Sequence, residues 1–554
     1  MADPDVIVIG SGPNGLVAAC TLARSGLRVL VLEGNAAIGG GTRTAELTLP
    51  GFRHDHCSAF HPLALVGPIA DLPLAEHGLH WVHADRPYGG ATPSGAGVAL
   101  ERSVPQSVAL FDQASAGDGQ GWRELFDLWE WGGPAFRQLF FNPLGNPAPA
   151  LQAAPLLGQP QRLFRLGQYM AGSARAMVER AFRGEDARVW LAGSVAHSDL
   201  SPEDAGGGAF GLMLCGLAQQ VGMPIPRGGA QAIPDALTRV LVAHGGHIIT
   251  RQRVKRIVVS EGRAVGVRTD AGDYRARCAV LATVQPQALF LDLVGAGLLP
   301  SDFVQLVRRF RWGTGLFTIH AALDRLPTFN APALQGTLAF HLGRSVQEIT
   351  AGVAGARDGL LPRSPLLIAG LHTLVDPSRA PEGKHTFWAM THVPSKIRGD
   401  EAGTISTTNW QEARAPFLQR VLDEVELYAP GFGESVLAAR GFTPDDIEAE
   451  NPNLVGGDIG TGSYTLDQQL VFRPFPGWFR YKTPIAGLYM SGAATHPGGG
   501  VHGAPGSNAA RVLLADLRMR EFTSPVRAAG RGLQRAGGRV REVVRQAIGF
   551  SDHG

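Results

Sequence analysis

Three glycines near the start of the chain, Gly10, Gly12 and Gly15, have the spacing of a loop that binds the phosphates of a dinucleotide. In such a loop the first glycine allows a tight turn, the second lets a pyrophosphate approach the backbone, and the third lets helix and strand pack closely. Pro13 and Asn14 lie at the start of the expected helix, whose N-terminus presents free N–H groups to phosphates. The motif therefore predicts a nucleotide site made largely of backbone.

Glu33 is the next residue of chemical interest. It ends the run VLVLE, 18 residues after Gly15, where a carboxylate can accept hydrogen bonds from both hydroxyls of a ribose. The same negative charge would repel a 2′-phosphate, which argues against NADP as the ligand of this loop.

The segments around the loop have the patterns of elements that position such a site. The run VIVI at 6–9 is continuously apolar, as in a strand buried on both faces of a parallel sheet, and VLVL at 29–32 repeats that pattern. Apolar residues lie between the two runs at helical spacing, namely Leu16, Ala19, Cys20 and Ala23. Strand, glycine-rich turn, helix and strand together favour a bound dinucleotide over a turn without a ligand.

A second group of glycines follows Glu33. Gly39, Gly40 and Gly41 allow another close approach between backbone and ligand, and Arg43 can offer a cation to a phosphate or a flavin. NAD dehydrogenases do not need this extension, whereas FAD proteins with a glycine doublet do. The two groups of glycines together therefore predict FAD.

A third glycine-rich segment, SGAATHPGGGVHGAPG at 491–506, lies near the C-terminal end of the chain. A helix is expected to begin beyond it, and its N-terminus would favour an anionic group such as the N1–C2=O edge of a reduced flavin. His496 and His502 flank the glycines and are the candidates for a proton acceptor or for a hydrogen bond to flavin. A purely structural role in the loop is the alternative for both histidines.

Other candidate residues have two interpretations each. Trp388 and His392 alternate as on a strand, where they would either pack in the core or line a cavity. Arg473 would either face a substrate cavity or form a structural salt bridge. The histidines between 54 and 61 lack the spacing of a metal site, so no metal is expected.

Helix and strand patterns alternate in three separated segments, which indicates an α/β protein with insertions. We expect an FAD-binding domain assembled from residues 1–84, 225–300 and 481–520, a substrate-binding domain from 85–224 and 301–480, and a basic C-terminal tail at 521–554. Two long uncharged stretches, 138–161 and 205–226, belong to the first insertion. They would form either a buried helix or loop, or else the wall of an apolar tunnel or an entrance that dips into a membrane.

Longer stretches of the sequence resemble the phytoene desaturase family of flavoproteins, specifically its phytoene dehydrogenase-related branch. They are VIVIGSGPNGLVAA at the start, PIPRGGAQAIPDAL at 224–237, and RPFPGWFRYKTPIAGLYMSGAATHPGGGVHGAPGSNAA near the end. The resemblance implies an α/β fold with a glutathione-reductase-like FAD-binding Rossmann domain and an inserted α+β substrate domain.

The resemblance also implies roles for individual positions. It assigns the ADP half of FAD to Gly10, Gly12, Gly15, Glu33, Gly39 and Gly40. It assigns the adenine to the backbone of Val254, and the ribityl chain and flavin ring to Gly492, Ala493, Gly500, Val501 and Gly503. Carotenoid desaturases usually place an arginine directly after the glycine doublet, whereas Gly41 and Thr42 precede Arg43 here.

The activity that the resemblance implies is that of an FAD-dependent oxidoreductase of dehydrogenase or desaturase type. A hydrophobic, isoprenoid-like or carotenoid-like substrate would transfer a hydride to flavin. A flavin amine oxidase is one alternative, but such enzymes use a lysine near the flavin and an aromatic cage, and this chain has four lysines. The other alternative is a non-catalytic escort protein that binds lipid or prenyl groups, against which the intact flavin loops argue.

Charge and composition set the expected partners. Fifty basic and 48 acidic residues leave a net charge of +2, yet eight arginines and two glutamates give residues 517–545 a charge of +6. Such a basic end would suit a peripheral contact with anionic lipid, and without an aromatic platform it does not predict nucleic-acid binding. With no strongly apolar run of 18 residues, we expect a cytoplasmic protein, peripheral at most on the inner face of the membrane. Oxygen and a quinone both stay open as electron acceptors.

Overall fold

The structure, a computed structural model, describes residues 3–520, so the expected basic tail at 521–554 lies outside the described residues. Two sheets dominate it. The first, the parallel sheet, has five strands that all run in the same direction. In spatial order these are Leu488–Met490, Ala279–Ala282, Val6–Ile9, Val29–Leu32 and His247–Ile249.

The alternation of side chains along the central strand explains how the parallel sheet is covered. Val6 and Val8 point to one face, where the helices Pro13–Arg24 and Ala232–Ala243 pack on them. Ile7 and Ile9 point to the other face, which is covered by an antiparallel three-stranded sheet. The strands of that covering sheet are Val254–Ser260, Arg263–Thr269 and Gly272–Arg275.

The second sheet, the mixed sheet, has seven strands, and it belongs to the two insertions. In spatial order they are Val436–Phe442, Gly315–Leu323, His385–Val393, Leu367–Gly370, Thr337–Leu342, Arg86–Ala91 and Val98–Ala99. Adjacent strands are antiparallel except for Thr337–Leu342 and Arg86–Ala91. The helix Trp410–Tyr428 packs on one face through Trp410, Phe417 and Val421.

A helical layer covers the other face of the mixed sheet. Its helices are Val104–Ala114, Asp118–Phe141, Pro147–Ala153, Pro160–Ala171, Ala174–Ala181, Glu185–Val195 and Gly207–Val221. Trp122, Trp129 and Trp190 fill its core. A Cβ on Gly216 would lie 2.4 Å from the Trp129 ring, so the uncharged helix Gly207–Val221 packs closely in this layer.

Smaller elements connect the two sheets and their coverings. The remaining helices are Ser301–Arg308, Val346–Asp358, Phe432–Ser435 and Pro444–Glu450, with a π-helical segment at Ala288–Gly295. Two-stranded pairs join Thr44–Glu46 to Arg53–Asp55, Trp81–Val82 to Ile225–Pro226, and Leu360–Leu361 to Gly399–Asp400. Within residues 3–520, no helix is both long and apolar enough to span a bilayer.

A buried ion pair joins the hairpin at 44–55 to the region of the mixed sheet. The Asp55 carboxylate, which is fully buried, accepts a hydrogen bond from Arg379 Nη1 at 2.9 Å, and Arg379 Nη2 donates to its second oxygen. Asp55 Oδ1 also accepts from Thr44 Oγ1 at 2.6 Å and from the Ala230 N–H at 2.8 Å. Burial alone would raise the pKa of Asp55, but the Arg379 charge and these hydrogen bonds hold that pKa well below its usual range. One carboxylate therefore connects three distant parts of the chain.

We predict that Arg379→Met lowers the free energy of unfolding by about 3–5 kcal/mol, because it leaves a buried carboxylate without its cation. Urea unfolding followed by far-UV circular dichroism measures this change. The exposed pair of Arg268 and Asp273 provides the control, since solvent screens both charges and Arg268→Met should leave the free energy of unfolding nearly unchanged. If both variants unfolded at the same urea concentration, the pair of Asp55 and Arg379 would not have the stabilising role described here.

Candidate cofactor and substrate cavity

One cavity of about 630 Å³ lies between the parallel sheet and the mixed sheet, and segments that belong to each sheet and its covering elements line it. We call the part next to the strand ends of the parallel sheet the nucleotide end. The part next to the helical layer and the strand His385–Val393 is called the apolar end. The predicted cofactor residues are taken first, in chain order.

The three glycines of the first loop have different surroundings. A Cβ on Gly15 would lie 2.1 Å from the Gly10 carbonyl oxygen, and Gly10 has a φ of +97°, so these two glycines are needed for the turn and for helix–strand packing. A Cβ on Gly12, in contrast, meets no atom within 4 Å, because this residue faces the cavity. The open space at Gly12 is where a phosphate can approach the backbone.

The first helix starts at this loop with Gly12 as its N-cap and Pro13 in its first turn, and no side chain caps it. Its free N–H groups and the positive end of its dipole therefore remain available to a ligand. Asn14 lines the cavity, and its buried Oδ1 has no hydrogen-bond partner among the described residues. These features fit the phosphates of a dinucleotide.

Glu33 lines the nucleotide end as a nearly buried carboxylate, 8% exposed. Its Oε2 accepts hydrogen bonds from the Ser11 N–H at 2.9 Å and from Ser11 Oγ at 2.6 Å, and its Oε1 accepts from the Asn35 N–H at 2.7 Å. Each carboxylate oxygen has more than one lone pair, so this fixed group can still accept from ribose hydroxyls. Val254 lines the same end, beside Lys255.

The second glycine group divides between the cavity and the packing around it. Gly40 and Gly41 line the cavity, whereas Gly39 does not; its N–H donates to the Ser11 carbonyl at 3.1 Å and ties the two loops together. Arg43 also lies outside the cavity lining. Its Nε donates to the Gly40 carbonyl at 2.9 Å and its Nη2 to Glu450 at 2.8 Å. The cation that we expected to face phosphate or flavin is thus held by a carboxylate behind the loop.

The C-terminal glycine-rich segment divides in the same way. Gly492, Ala493, Gly500 and Val501 line the cavity. Gly503 does not, because it packs on the first helix, where a Cβ would lie 2.6 Å from Val17 Cγ2. At the nucleotide end the segment begins with Gly492, which contacts Thr283. It then reaches the apolar end, where Gly500 approaches Leu63.

The rings of His496 and His502 are buried beside the cavity and do not line it. His496 Nε2 lies 3.3 Å from the Leu139 carbonyl oxygen, and His502 Nδ1 accepts a hydrogen bond from the Ala504 N–H at 3.0 Å. Burial lowers the pKa of each ring to about 4, so both are neutral near pH 7. A catalytic role for either histidine stays a prediction, and their hydrogen bonds in this structure are with backbone atoms.

Of the residues that line the apolar end, the sequence patterns marked Trp388 individually and several others only as members of the two uncharged stretches. The lining residues are Phe60, Leu63, Phe140, Phe210, Met213, Leu214, Met223, Trp388 and Met390. The uncharged stretches at 138–161 and 205–226 contain several of them, which was the available signal. His197 lies on the same wall, and nothing in the sequence around it marked it for a site.

Arg473 supports the cavity wall from behind. The buried guanidinium donates to the carbonyl oxygens of Ser463 and Thr461, each at 3.1 Å, and of Ala493 at 3.0 Å. It makes no ion pair with any residue between 3 and 520 and does not line the cavity, so neither interpretation from the sequence holds. Its role is to fix two loops, around Thr461 and Ala493, that do line it.

Comparison with known sequence families decides the class of protein. Residues 8–64 match the NAD(P)-binding Rossmann-like domain, and residues 156–514, more than half of the chain, match the flavin containing amine oxidoreductases. The chain belongs to this flavin-containing oxidoreductase family. The expected fold class, an FAD-binding Rossmann domain with an inserted domain, is thereby confirmed, and FAD is the cofactor that the loops around Gly12 and Gly40 fit.

Relatives of this flavin oxidoreductase extend over nearly its whole length. Pyridine nucleotide-disulfide oxidoreductase domain-containing protein 2 of Mus musculus is 32% identical, covering 93% of this chain and 94% of the relative. A limonene dehydrogenase component of Castellaniella defragrans is 24% identical over 93% and 95% of the two chains. A neurosporene-forming phytoene desaturase of Cereibacter sphaeroides is 25% identical over 92% and 94%. The phytoene desaturase-like character expected from the sequence is confirmed.

Two solved structures share the fold at low identity. An oxidoreductase from Methanosarcina mazei superposes with a TM-score of 0.57 at 18% identity, over 92% of this chain and 99% of the other. Putrescine oxidase bound to putrescine superposes with a TM-score of 0.55 at 16% identity, over 93% and 99%. At these identities the likeness concerns the fold alone.

We predict that Gly12→Val yields folded protein without FAD. The backbone at Gly12, with φ −66°, accepts a side chain, and the open space around its Cβ is the space that the pyrophosphate needs. The ratio of absorbance at 450 nm to that at 280 nm measures bound flavin, and circular dichroism measures folding. The control is Gly167→Val, at another open position on an exposed helix, which should keep its flavin. Stoichiometric FAD in folded Gly12→Val would contradict the assignment of this loop.

Proposed function

We propose that this flavin-containing oxidoreductase dehydrogenates a predominantly apolar small molecule, in the manner of a desaturase, and does not oxidise a charged amine. When bound, FAD supplies the hydride acceptor. The contribution of the chain is to bind and orient the substrate and to exclude water from it. The composition of the apolar end carries this proposal.

The charged side chains of the cavity are confined to the nucleotide end. Glu33, Arg253, Lys255 and Asp292 are the charged residues among the described cavity-lining residues, and all four belong to the segments that build the parallel sheet and its coverings. An apolar molecule at the other end gives up no hydrogen bonds to water, and its burial is favourable by about 25 cal/mol for each Å² of apolar surface. A charged molecule would lose its hydration there without a counter-ion.

The same distribution bears on the amine oxidase alternative. Lys255 is the single lysine among the described cavity-lining residues, and it lies beside Val254 at the nucleotide end. The part of the chain that the structure describes therefore places no lysine at the apolar end for the role that amine oxidases give to one. The names of two relatives, a limonene dehydrogenase component and a phytoene desaturase, also favour an isoprenoid-like substrate. We propose oxygen or a quinone as the electron acceptor.

We predict that an isoprenoid hydrocarbon or alcohol bleaches the flavin absorbance near 450 nm under anaerobic conditions, whereas putrescine does not. Met213→Asp puts a charge on the apolar wall and should lower the bleaching rate by at least about tenfold. The new carboxylate either remains hydrated, so that water occupies the substrate's place, or must lose its hydration when the substrate binds. Met213→Leu keeps the wall apolar and is the matched control. Bleaching by amines alone would overturn the proposal.

We further propose that the protein collects its substrate from a membrane surface. The helical segments between 139 and 164 carry large apolar side chains in contact with solvent: Leu139 at 48%, Leu151 at 72%, Leu157 at 69% and Phe164 at 70% exposure. The next residue after Leu139, Phe140, lines the apolar end of the cavity. Exposed apolar side chains next to an apolar cavity favour a bilayer as the partner of this face.

We predict that the double variant Leu151→Asp, Phe164→Asp lowers the partition coefficient onto phosphatidylglycerol-containing liposomes by at least about tenfold, because each exposed apolar side chain contributes about 1.5–3 kcal/mol on burial. Co-sedimentation measures the bound fraction. Leu298→Asp, at an exposed leucine outside these helical segments, is the control and should leave partitioning unchanged. Equal partitioning of all variants would contradict the proposal that this face contacts the membrane.

A further inference from the structure

His197 is a polar group on the wall of the otherwise apolar end. It lies just beyond the helix Glu185–Val195, is half-buried and lines the cavity. His61 also lines the cavity, but its Nδ1 is enclosed by protein and has no hydrogen-bond partner among the described residues. His197 differs because one nitrogen of its ring makes hydrogen bonds to protein and the other does not.

The bound side of the His197 ring faces a buried polar cluster. His197 Nε2 lies 3.2 Å from His341 Nε2 and 3.3 Å from the Tyr88 hydroxyl. Tyr88 and His341 are themselves fully buried and 3.1 Å apart. Burial raises the pKa of the Tyr88 phenol well above its usual value and lowers that of His341 to about 4, so both groups are neutral.

The hydrogen bonds of His341 determine where the protons are. His341 Nδ1 lies 3.0 Å from the Trp190 carbonyl oxygen, which can only accept, so Nδ1 carries the proton of this neutral ring. His341 Nε2 is then an acceptor. Two unprotonated nitrogens would repel each other at 3.2 Å, and therefore His197 Nε2 is the donor between the two rings.

The open side of the ring follows from this assignment. Burial, with His341 and His392 nearby, lowers the pKa of His197 well below its usual range, so the ring carries one proton, on Nε2. Nδ1 is therefore an unprotonated acceptor. It has no hydrogen-bond partner among the described residues, and it is not enclosed by protein as His61 Nδ1 is.

We propose that His197 Nδ1 is a substrate-binding site that accepts a hydrogen bond from a hydroxyl group at one end of an otherwise apolar substrate, with Tyr88 and His341 as its positioning residues. An acceptor in this position selects for a donor, so an alcohol fits, while an ether or a ketone of the same shape does not. The inference deepens the proposed function, on which it rests, by specifying the substrate as an apolar alcohol.

An ammonium group is also a donor, but the surroundings disfavour it. The carboxylates that line the described cavity, Glu33 and Asp292, lie at the nucleotide end. A cation beside His197 would lie without an adjacent counter-ion among the described cavity-lining residues, and the neutral ring cannot replace one. A hydroxyl needs a single hydrogen bond and loses far less hydration on entering the apolar end.

The test measures binding to the FAD-loaded enzyme after anaerobic photoreduction, so that no turnover occurs. The probes are farnesol and farnesyl methyl ether, which differ in one donated hydrogen bond, and quenching of tryptophan fluorescence reports occupancy beside Trp388. We expect farnesol to bind about tenfold more tightly than the ether. In His197→Phe the two dissociation constants should become equal while that of the ether changes less than about twofold.

Further variants separate hydrogen bonding from shape. His197→Asn places an amide oxygen close to the position of Nδ1 and should retain part of the preference for farnesol. Tyr88→Phe removes one partner of Nε2 and should reduce that preference without affecting the ether. Leu298→Asp, at an exposed position outside the described cavity lining, should leave the ratio of the two constants unchanged. If His197→Phe does not fold, His197→Leu takes its place.

The proposal is overturned if the wild-type enzyme does not prefer farnesol to the ether, or if the His197 variants keep the preference. It is also overturned if they weaken both probes equally. Because binding is read on reduced enzyme, these outcomes are independent of whether either probe bleaches the oxidised flavin. A failure of the proposed function would appear only in the bleaching experiment, which keeps the two failures distinguishable.

Discussion

The position of the cavity depends on the buried ion pair of Asp55 and Arg379. Residues 57–63, which supply a continuous part of the cavity wall including Phe60, follow Asp55 closely in the chain. Asp55 fixes the start of this segment by accepting hydrogen bonds from Thr44, Ala230 and Arg379, which are far apart in the sequence. A buried carboxylate is stable only when its oxygens accept hydrogen bonds or face a cation. Moving one of these segments relative to the others would therefore leave the Asp55 charge unpaired. The cavity wall at 57–63 therefore begins next to a point that is fixed by hydrogen bonds to Ala230 and Arg379.

The nucleotide end could be predicted from the sequence because its determinants are local. Gly10, Gly12 and Gly15 act within one turn, and their spacing alone encodes which glycine packs and which faces the ligand. Arg43 shows where local reasoning stops. Its partner Glu450 is 407 positions away, and no pattern around either residue indicates that the two form a pair. Gly39 and Gly503 belong to the right loops, yet they serve packing between elements, a distinction that depends on neighbours brought in by the fold.

Which residues line the apolar end could not be decided from the sequence, for a different reason. Phe60, Met213 and Trp388 come from distant segments, and a phenylalanine or methionine that lines a cavity has the same sequence signature as one that fills a core. The histidines illustrate the point. His496 and His502 stand out because they flank a glycine-rich loop, but both rings turn into protein, whereas His197 has an unremarkable sequence context and reaches the cavity. Tertiary contacts, in this case with Tyr88 and His341, decide which nitrogen faces which environment.

The two ends of the cavity therefore select ligands by opposite physical means. At the nucleotide end, a helix N-terminus stabilises negatively charged groups of a ligand, and fixed polar groups such as Glu33 accept hydrogen bonds from it. At the apolar end, the low polarity of the wall penalises charge, and that penalty applies equally to the protein, which is why the His197 ring stays neutral. A neutral imidazole in such surroundings can accept one hydrogen bond but cannot balance a cation. The same burial that keeps His197 unprotonated at Nδ1 thus restricts its partner to an uncharged donor. Specificity therefore follows from the inability of the apolar wall to stabilise a charged ligand as much as from the hydrogen bond itself.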